Sequence, residues 1–142
     1  MKLRLFLLAA LCFAFFQQAY AHNNRVAVKQ CIEENSGADS IECLQKIFWK
    51  TQQNIAKLEK AILNHLTKQW QADNLTQTHY QMAVSSLRDA SKKFAKFSER
   101  QCDFAIGESG AVASGSAQVR WSCLIELNDW RIQYLKAISS KK

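Results

Sequence analysis

The chain has no proline in its 142 residues and only four glycines, three of them inside the stretch GESGAVASGS at residues 107–116. Proline and glycine are the two residues that interrupt helices most strongly. A chain that lacks the first and gathers the second in one place has few points at which a helix must stop. Cys102 stands just before the glycine-rich stretch and Cys123 just after it. Together these features predict long helices joined at residues 106–114 by one flexible connection whose two feet are held by a cystine.

Apolar spacing supports the helices. From residue 40 to about 70, Ile41, Leu44, Phe48, Ile55, Leu58, Ile62 and Leu66 recur at steps of three, four and seven, which marks one face of a helix. A second helix is predicted over 78–101 on Tyr80, Val84, Leu87, Phe94 and Phe97, and a third from about residue 116 on Val119, Cys123, Leu127, Trp130, Tyr134 and Ile138. A short helix over 25–33 precedes them. No stretch alternates with period two for long enough to make a strand, and the short link at 72–77 makes its two helices antiparallel neighbours. The expected fold class is all-α: a single disulfide-stapled bundle of three long helices plus a short N-terminal one. Phe48, Phe94, Phe97, Trp130 and Tyr134 are expected mostly in its core.

Residues 1–21 read as a Sec signal peptide, with Lys2 and Arg4 ahead of an apolar run from Leu5 to Phe16 and an Ala-Tyr-Ala cleavage site ending at Ala21. The apolar run is about 12 residues, short of the roughly 20 that cross a bilayer, so no stable membrane insertion is expected after cleavage. Lipidation at Cys12 is disfavoured by Leu11 in front of it. One domain, residues 22–142, then works in the periplasm or outside the cell. Loss of Lys2 and Arg4 leaves 17 basic against 12 acidic residues, a net charge of +5. That modest charge, with export, argues against a nucleic-acid partner.

Cleavage also removes Cys12 and leaves Cys31, Cys43, Cys102 and Cys123. An even number in an exported chain points to two disulfides. Three pairings are formally open. Cys31–Cys43 and Cys102–Cys123 are favoured because each brackets a short segment with turn residues. No C-x-x-C is present, and the histidines stand at no fixed offset from the cysteines, so a zinc site is not supported. Copper held by an amino-terminal His22 with His65 or His79 lacks anything that fixes the second ligand nearby. Neither a catalytic triad nor a phosphate-binding glycine motif occurs, so no catalytic residue, metal or cofactor is expected, and the chain is not expected to be an enzyme.

The block holding Phe94, Phe97, Glu99, Cys102, Gly115, Cys123, Arg131 and Leu135 resembles the C-terminal half of the LprI-like lysozyme-inhibitor family of small exported bacterial proteins. Cys31 and Cys43 match that family's first disulfide. The chain departs from the family pattern at Ser91, Phe94, Ser98 and Asn128, where Gln, Trp, Arg and Thr are usual. The resemblance implies a helical fold and a protein partner, namely lysozyme or another peptidoglycan-cleaving enzyme. A periplasmic immunity protein against a delivered toxin is the alternative, as is an envelope component that binds anionic polymer.

Two regions are candidates for contact. Glu108, Ser109 and Gly110 lie in the glycine-rich connection, where small residues could enter an enzyme cleft, with Glu108 at or near the tip. Arg88, Lys92, Lys96 and Arg100 repeat every four residues and form a cationic stripe on the second long helix, suited to an anionic partner. Arg131 is expected to be structural, its guanidinium paired with Glu99 or Asp103 near the cystine. Phe94 and Phe97 are also expected to be structural.

Overall fold

The computed structural model describes residues 24–140, and among them there are four helices and no strand. Helix α1 covers residues 24–33, α2 Gly37–Gln71, α3 Gln77–Ser109 and α4 Ser114–Ser139. The all-α bundle is as expected. The expected signal segment, its expected cleavage site and His22 fall outside the described residues.

Local chemistry sets the helix ends. The Thr76 hydroxyl accepts from the His79 backbone N–H at 3.3 Å, an N-cap that opens α3. Gly37 at φ +49° and Gly110 at φ +62° adopt the left-handed conformation that favours glycine. Gly107 does not end α3, which runs on past residue 101 to Ser109 and stops only at Gly110. A single helical glycine costs about 1 kcal/mol relative to alanine, and the turns around Cys102 carry the helix through. The long irregular connection expected at 106–114 is therefore corrected to a tight turn at 110–113.

Helix α4 is the centre of the bundle. Ile132 and Leu135 join Ile55 and Ile62 of α2 in one core cluster, with Leu87 and Phe94 of α3 packed against it. Ile125 joins Cys31 and Leu44 in a second, flanked by Phe48 and Trp121. The inner face of α4 is thus Leu124, Ile125, Asn128, Arg131, Ile132 and Leu135.

That inner face is not the stripe picked out by spacing. Trp130 and Tyr134 stand more than half exposed, as does Phe97, so none of these three is core as expected. The reason is that α4 carries apolar residues at helical spacing on two faces about one residue out of phase, roughly 100° apart. The face with Asn128 and Arg131 looks polar in the sequence and is the buried one.

Two disulfides complete the frame, Cys31–Cys43 and Cys102–Cys123, each with 5.6 Å between Cα atoms. They are the pairings favoured from the sequence. The first ties α1 to α2 and the second ties α3 to α4. Cys102→Ser is expected to expose one titratable thiol at Cys123 and to lower the unfolding free energy by about 2–5 kcal/mol. Urea unfolding of the variant measures the loss. A change within about 0.5 kcal/mol, as for an ordinary surface site, would mean that packing alone holds the hairpin.

Candidate functional site

Three regions bear on function: a buried polar cluster at mid-bundle, the end of the bundle where both cystines lie, and the outer face of α3. In the first, Arg131 is only 5% exposed. Its Nη2 donates to Glu59 Oε1 at 3.2 Å and to Ser91 Oγ at 3.3 Å. The Ser91 hydroxyl in turn donates to Glu59 Oε1 at 2.5 Å, and the guanidinium carbon lies 5.6 Å from the centre of the Phe94 ring. One turn away, Asn128 Nδ2 donates to Thr51 Oγ1 at 2.8 Å while Asn128 Oδ1 accepts from Gln52 at 3.3 Å. Arg131 Nε is buried without a hydrogen-bond partner among the described residues, but the other polar groups here are engaged with one another, so the cluster binds helices together.

Arg131 is structural in this arrangement, but its expected partners are corrected. Glu99 is exposed on α3, and Asp103 is taken by Arg120 of α4. The actual carboxylate comes from α2, because the inner face of α4 that carries Arg131 is turned toward that helix.

At the cystine end, Glu108 and Ser109 occupy the last turn of α3 and Gly110 is its C-cap. Val112 is 79% exposed in the turn that follows, and Ala113 has φ +50°, a conformation an L-residue adopts at a cost of about 1–3 kcal/mol. Gln118 near the start of α4 donates to Ser40 near the start of α2 at 2.8 Å, which brings the α3–α4 turn beside the α1–α2 turn. Five exposed carboxylates therefore share this end: Glu33, Glu34, Asp39, Glu42 and Glu108. Lys29 lies 3.6 Å from Glu33 and Lys46 lies 2.8 Å from Glu42. Among the described residues Glu34, Asp39 and Glu108 have no ion pair.

The cationic stripe is real and exposed. Arg88, Lys92, Lys96 and Arg100 all face solvent, and only Arg100 approaches a carboxylate, Asp103 at 3.9 Å. The stripe stands on the side of α3 and ends at Arg100, two residues before Cys102 and about two helical turns short of Glu108.

The family model for the lysozyme inhibitor LprI matches residues 19–135, a span that includes both cystines, the α3–α4 turn and the Arg131 cluster. The chain belongs to the LprI lysozyme-inhibitor family. Neither the curated proteins nor the solved structures compared contain a match to it. Within this LprI domain, most positions that carried the resemblance are now seen to be architectural. Leu135 is wholly buried, Cys102 and Cys123 are bonded, and Phe94 packs under Arg131. A helix pattern can mark an LprI chain without marking its contact surface.

Several participants escape sequence reasoning. Glu59 had a usable signal, since it is the only carboxylate between Glu42 and Asp73 in a lysine-rich helix and falls one residue from the Leu58 stripe. Asp129 had none. It is buried and accepts from Asn24 Nδ2 of α1 at 2.7 Å. It borders a mostly apolar groove of about 1020 Å3 between α1 and α4. Burial pushes its carboxyl above the ordinary 3.8, and the Asn24 hydrogen bond only partly opposes this.

Two outcomes are expected. Arg131→Ala leaves the Glu59 carboxylate without its counter-charge and should cost about 3–5 kcal/mol, measured by denaturant unfolding. Because the Asp129 carboxyl is raised in the folded state, its contribution favours folding below pH 3.8 and is lost as pH rises through the raised value. Asp129→Asn keeps an acceptor for Asn24 and should flatten that part of the stability–pH curve. Calorimetric melting across the acidic range checks it, and an unchanged slope would place the pH dependence elsewhere.

Proposed function

We propose that this protein is an exported inhibitor of lysozyme or of another peptidoglycan-cleaving enzyme. It acts by binding, with no chemistry of its own, and meets the enzyme with the cystine end of the bundle. Family membership supports the activity. The observation that supports the location is the exposed turn at 110–113, carried between two helices that Cys102–Cys123 ties together, at the end of the bundle where Glu34, Asp39 and Glu108 have no ion pair among the described residues.

Lysozyme chemistry depends on two carboxylates beside a substrate groove. A body that fills the groove stops it. Residues 109–115, Ser-Gly-Ala-Val-Ala-Ser-Gly, are small, so the backbone of this turn can come close to a cleft wall, with Val112 foremost. The carboxylates of Glu34, Asp39 and Glu108 give this end a negative field suited to a cationic enzyme, and complementary fields speed encounter. The cystine contributes before binding. Each side chain or loop residue already ordered spares about 0.5–1.5 kcal/mol of ordering cost on association. A glycine-rich tether would bear that cost in full, whereas a helix end followed by a tight turn bears much less.

The Sec-type leader supports a periplasmic or secreted site of action. No described helix is long and apolar enough to cross a membrane.

The test pairs Glu108→Lys with Ser109→Trp in a cell-wall turbidity assay with purified lysozyme. Both side chains are exposed, so helicity should be retained and stability should shift within about 0.5 kcal/mol. Inhibition should fall at least tenfold. Full inhibition by the double variant would remove the turn from the contact. A parent protein that inhibits no lysozyme but binds one delivered toxin tightly would assign the fold to immunity instead.

A further inference from the structure

The outer face of α3 combines cations with large apolar side chains that the bundle does not cover. Arg88, Lys92, Lys93, Lys96 and Arg100 are all exposed on it. At roughly 100° per residue, Phe97 and Phe104 fall beside Lys93 and Arg100 on the same side of the helix, and they are 52% and 63% exposed. Met82 lies exposed on this face as well. The surface continues across the seam with α4. There Phe94 stacks on Trp130 with ring centres 6.2 Å apart, and Trp130 stacks on Tyr134 at 5.8 Å. Trp130 and Tyr134 are 57% and 51% exposed.

We propose that this face is a docking surface for an anionic phospholipid leaflet, on which the protein rests peripherally with α3 along the membrane plane. Charge carries the first part of the argument. Three carboxylates share the face with these five cations: Asp89 is engaged with Lys93 at 2.8 Å, Asp103 with Arg120, and Glu99 falls between Arg88 and Lys92 in angle around the helix, with no ion pair among the described residues. Arg88, Lys92 and Lys96 have no ion pair among the described residues, so the field of the face is positive. From Arg88 to Phe104 the row extends for about 24 Å at 1.5 Å per residue, long enough to meet several headgroups at once.

The exposed rings carry the second part. A soluble anionic polymer would be held by the cations alone and would leave Phe97, Phe104 and Trp130 in water. A leaflet uses both kinds of group. Lysine and arginine keep their charges at headgroup level while their stems lie along apolar surface, and tryptophan and tyrosine are suited to the same depth. A basic helix face with aromatic side chains beside it is the composition of an interfacial helix. Docking of this kind leaves the cystine end at the rim of the contact, facing along the membrane, so it does not depend on the inhibitor reading.

Vesicle co-sedimentation tests it, with phosphatidylcholine alone and with about one third phosphatidylglycerol, an anionic fraction that sets up a negative surface potential. The protein should pellet only with the anionic vesicles, release as salt rises, and shift its tryptophan emission to the blue. A basic side chain near such a surface contributes roughly fivefold in affinity, so Lys92→Glu with Lys96→Glu should weaken binding by at least about 25-fold. Phe97→Ser with Phe104→Ser, which leaves the charge alone, should weaken it at least tenfold with helical content unchanged by circular dichroism. No binding to anionic vesicles at low salt would overturn the proposal. So would binding that survives the two phenylalanine changes and is fully competed by polyphosphate, which would assign the stripe to a soluble polyanion. Lysozyme inhibition measured on the same variants is expected to stay at the parent level.

Discussion

The hydrogen-bonded ion pair of Arg131 and Glu59 is the point at which the three long helices meet. Arg131 belongs to α4 and Glu59 to α2, while α3 supplies Ser91 as a shared hydroxyl and Phe94 as the surface beneath the guanidinium. Burial of a charge costs several kcal/mol per ion even after relaxation. Here the arginine side chain is nearly enclosed while the glutamate keeps some contact with water, so part of that cost is avoided. Such a pair adds little to net stability compared with well-packed apolar groups. What it does is penalise arrangements in which the three helices come together differently, since the arginine would then be buried without its carboxylate.

Around that point the bundle is asymmetric. α4 packs against both other long helices, with Ile132 and Leu135 in the α2 cluster and the Cys102–Cys123 bond on the α3 side. A helix placed between two neighbours needs apolar residues on more than one face. Val119, Leu127, Trp130 and Tyr134 look as core-like in the sequence as Leu124, Ile132 and Leu135, yet Trp130 and Tyr134 stand more than half exposed. The class of fold, the number of long helices and both cystines were legible from breakers, spacing and cysteine positions. The phase of α4 was not, because Asn128 and Arg131 sit at the centre of its buried face. Their burial makes sense only once Thr51, Gln52 and Glu59 are seen opposite them. Pairing between residues some 70 positions apart leaves no local pattern to read.

The candidate site shows the same division. Glu108, Ser109 and Gly110 were recognisable as an unusual stretch, but glycine content suggested a tether where there is a helix terminus. Three residues of α-helical conformation at Gly107–Ser109 are decided by neighbouring turns and by the cystine, against the local preference of glycine. The carboxylates of Glu34 and Asp39 lie far from Glu108 in the chain and reach the same end only through the antiparallel return of α3. Charge is accordingly sorted along the molecule. Acidic groups collect where α1 ends and α2 begins, and cations line the flank of α3, a separation that a net charge of +5 for residues 22–142 conceals.

The polar contacts along α4 have one more effect. Gln118 to Ser40, Asn128 to Thr51 and Arg131 to Glu59 are successive rungs between the same two helices. A slide of α4 by a single turn, about 5.4 Å, would break all three at once and set polar atoms against apolar ones. The rungs therefore act as a ruler. They hold the height of the 110–113 turn above the α1–α2 turn to a fraction of a helical pitch, and the shape presented at that end of the molecule is gauged from its middle.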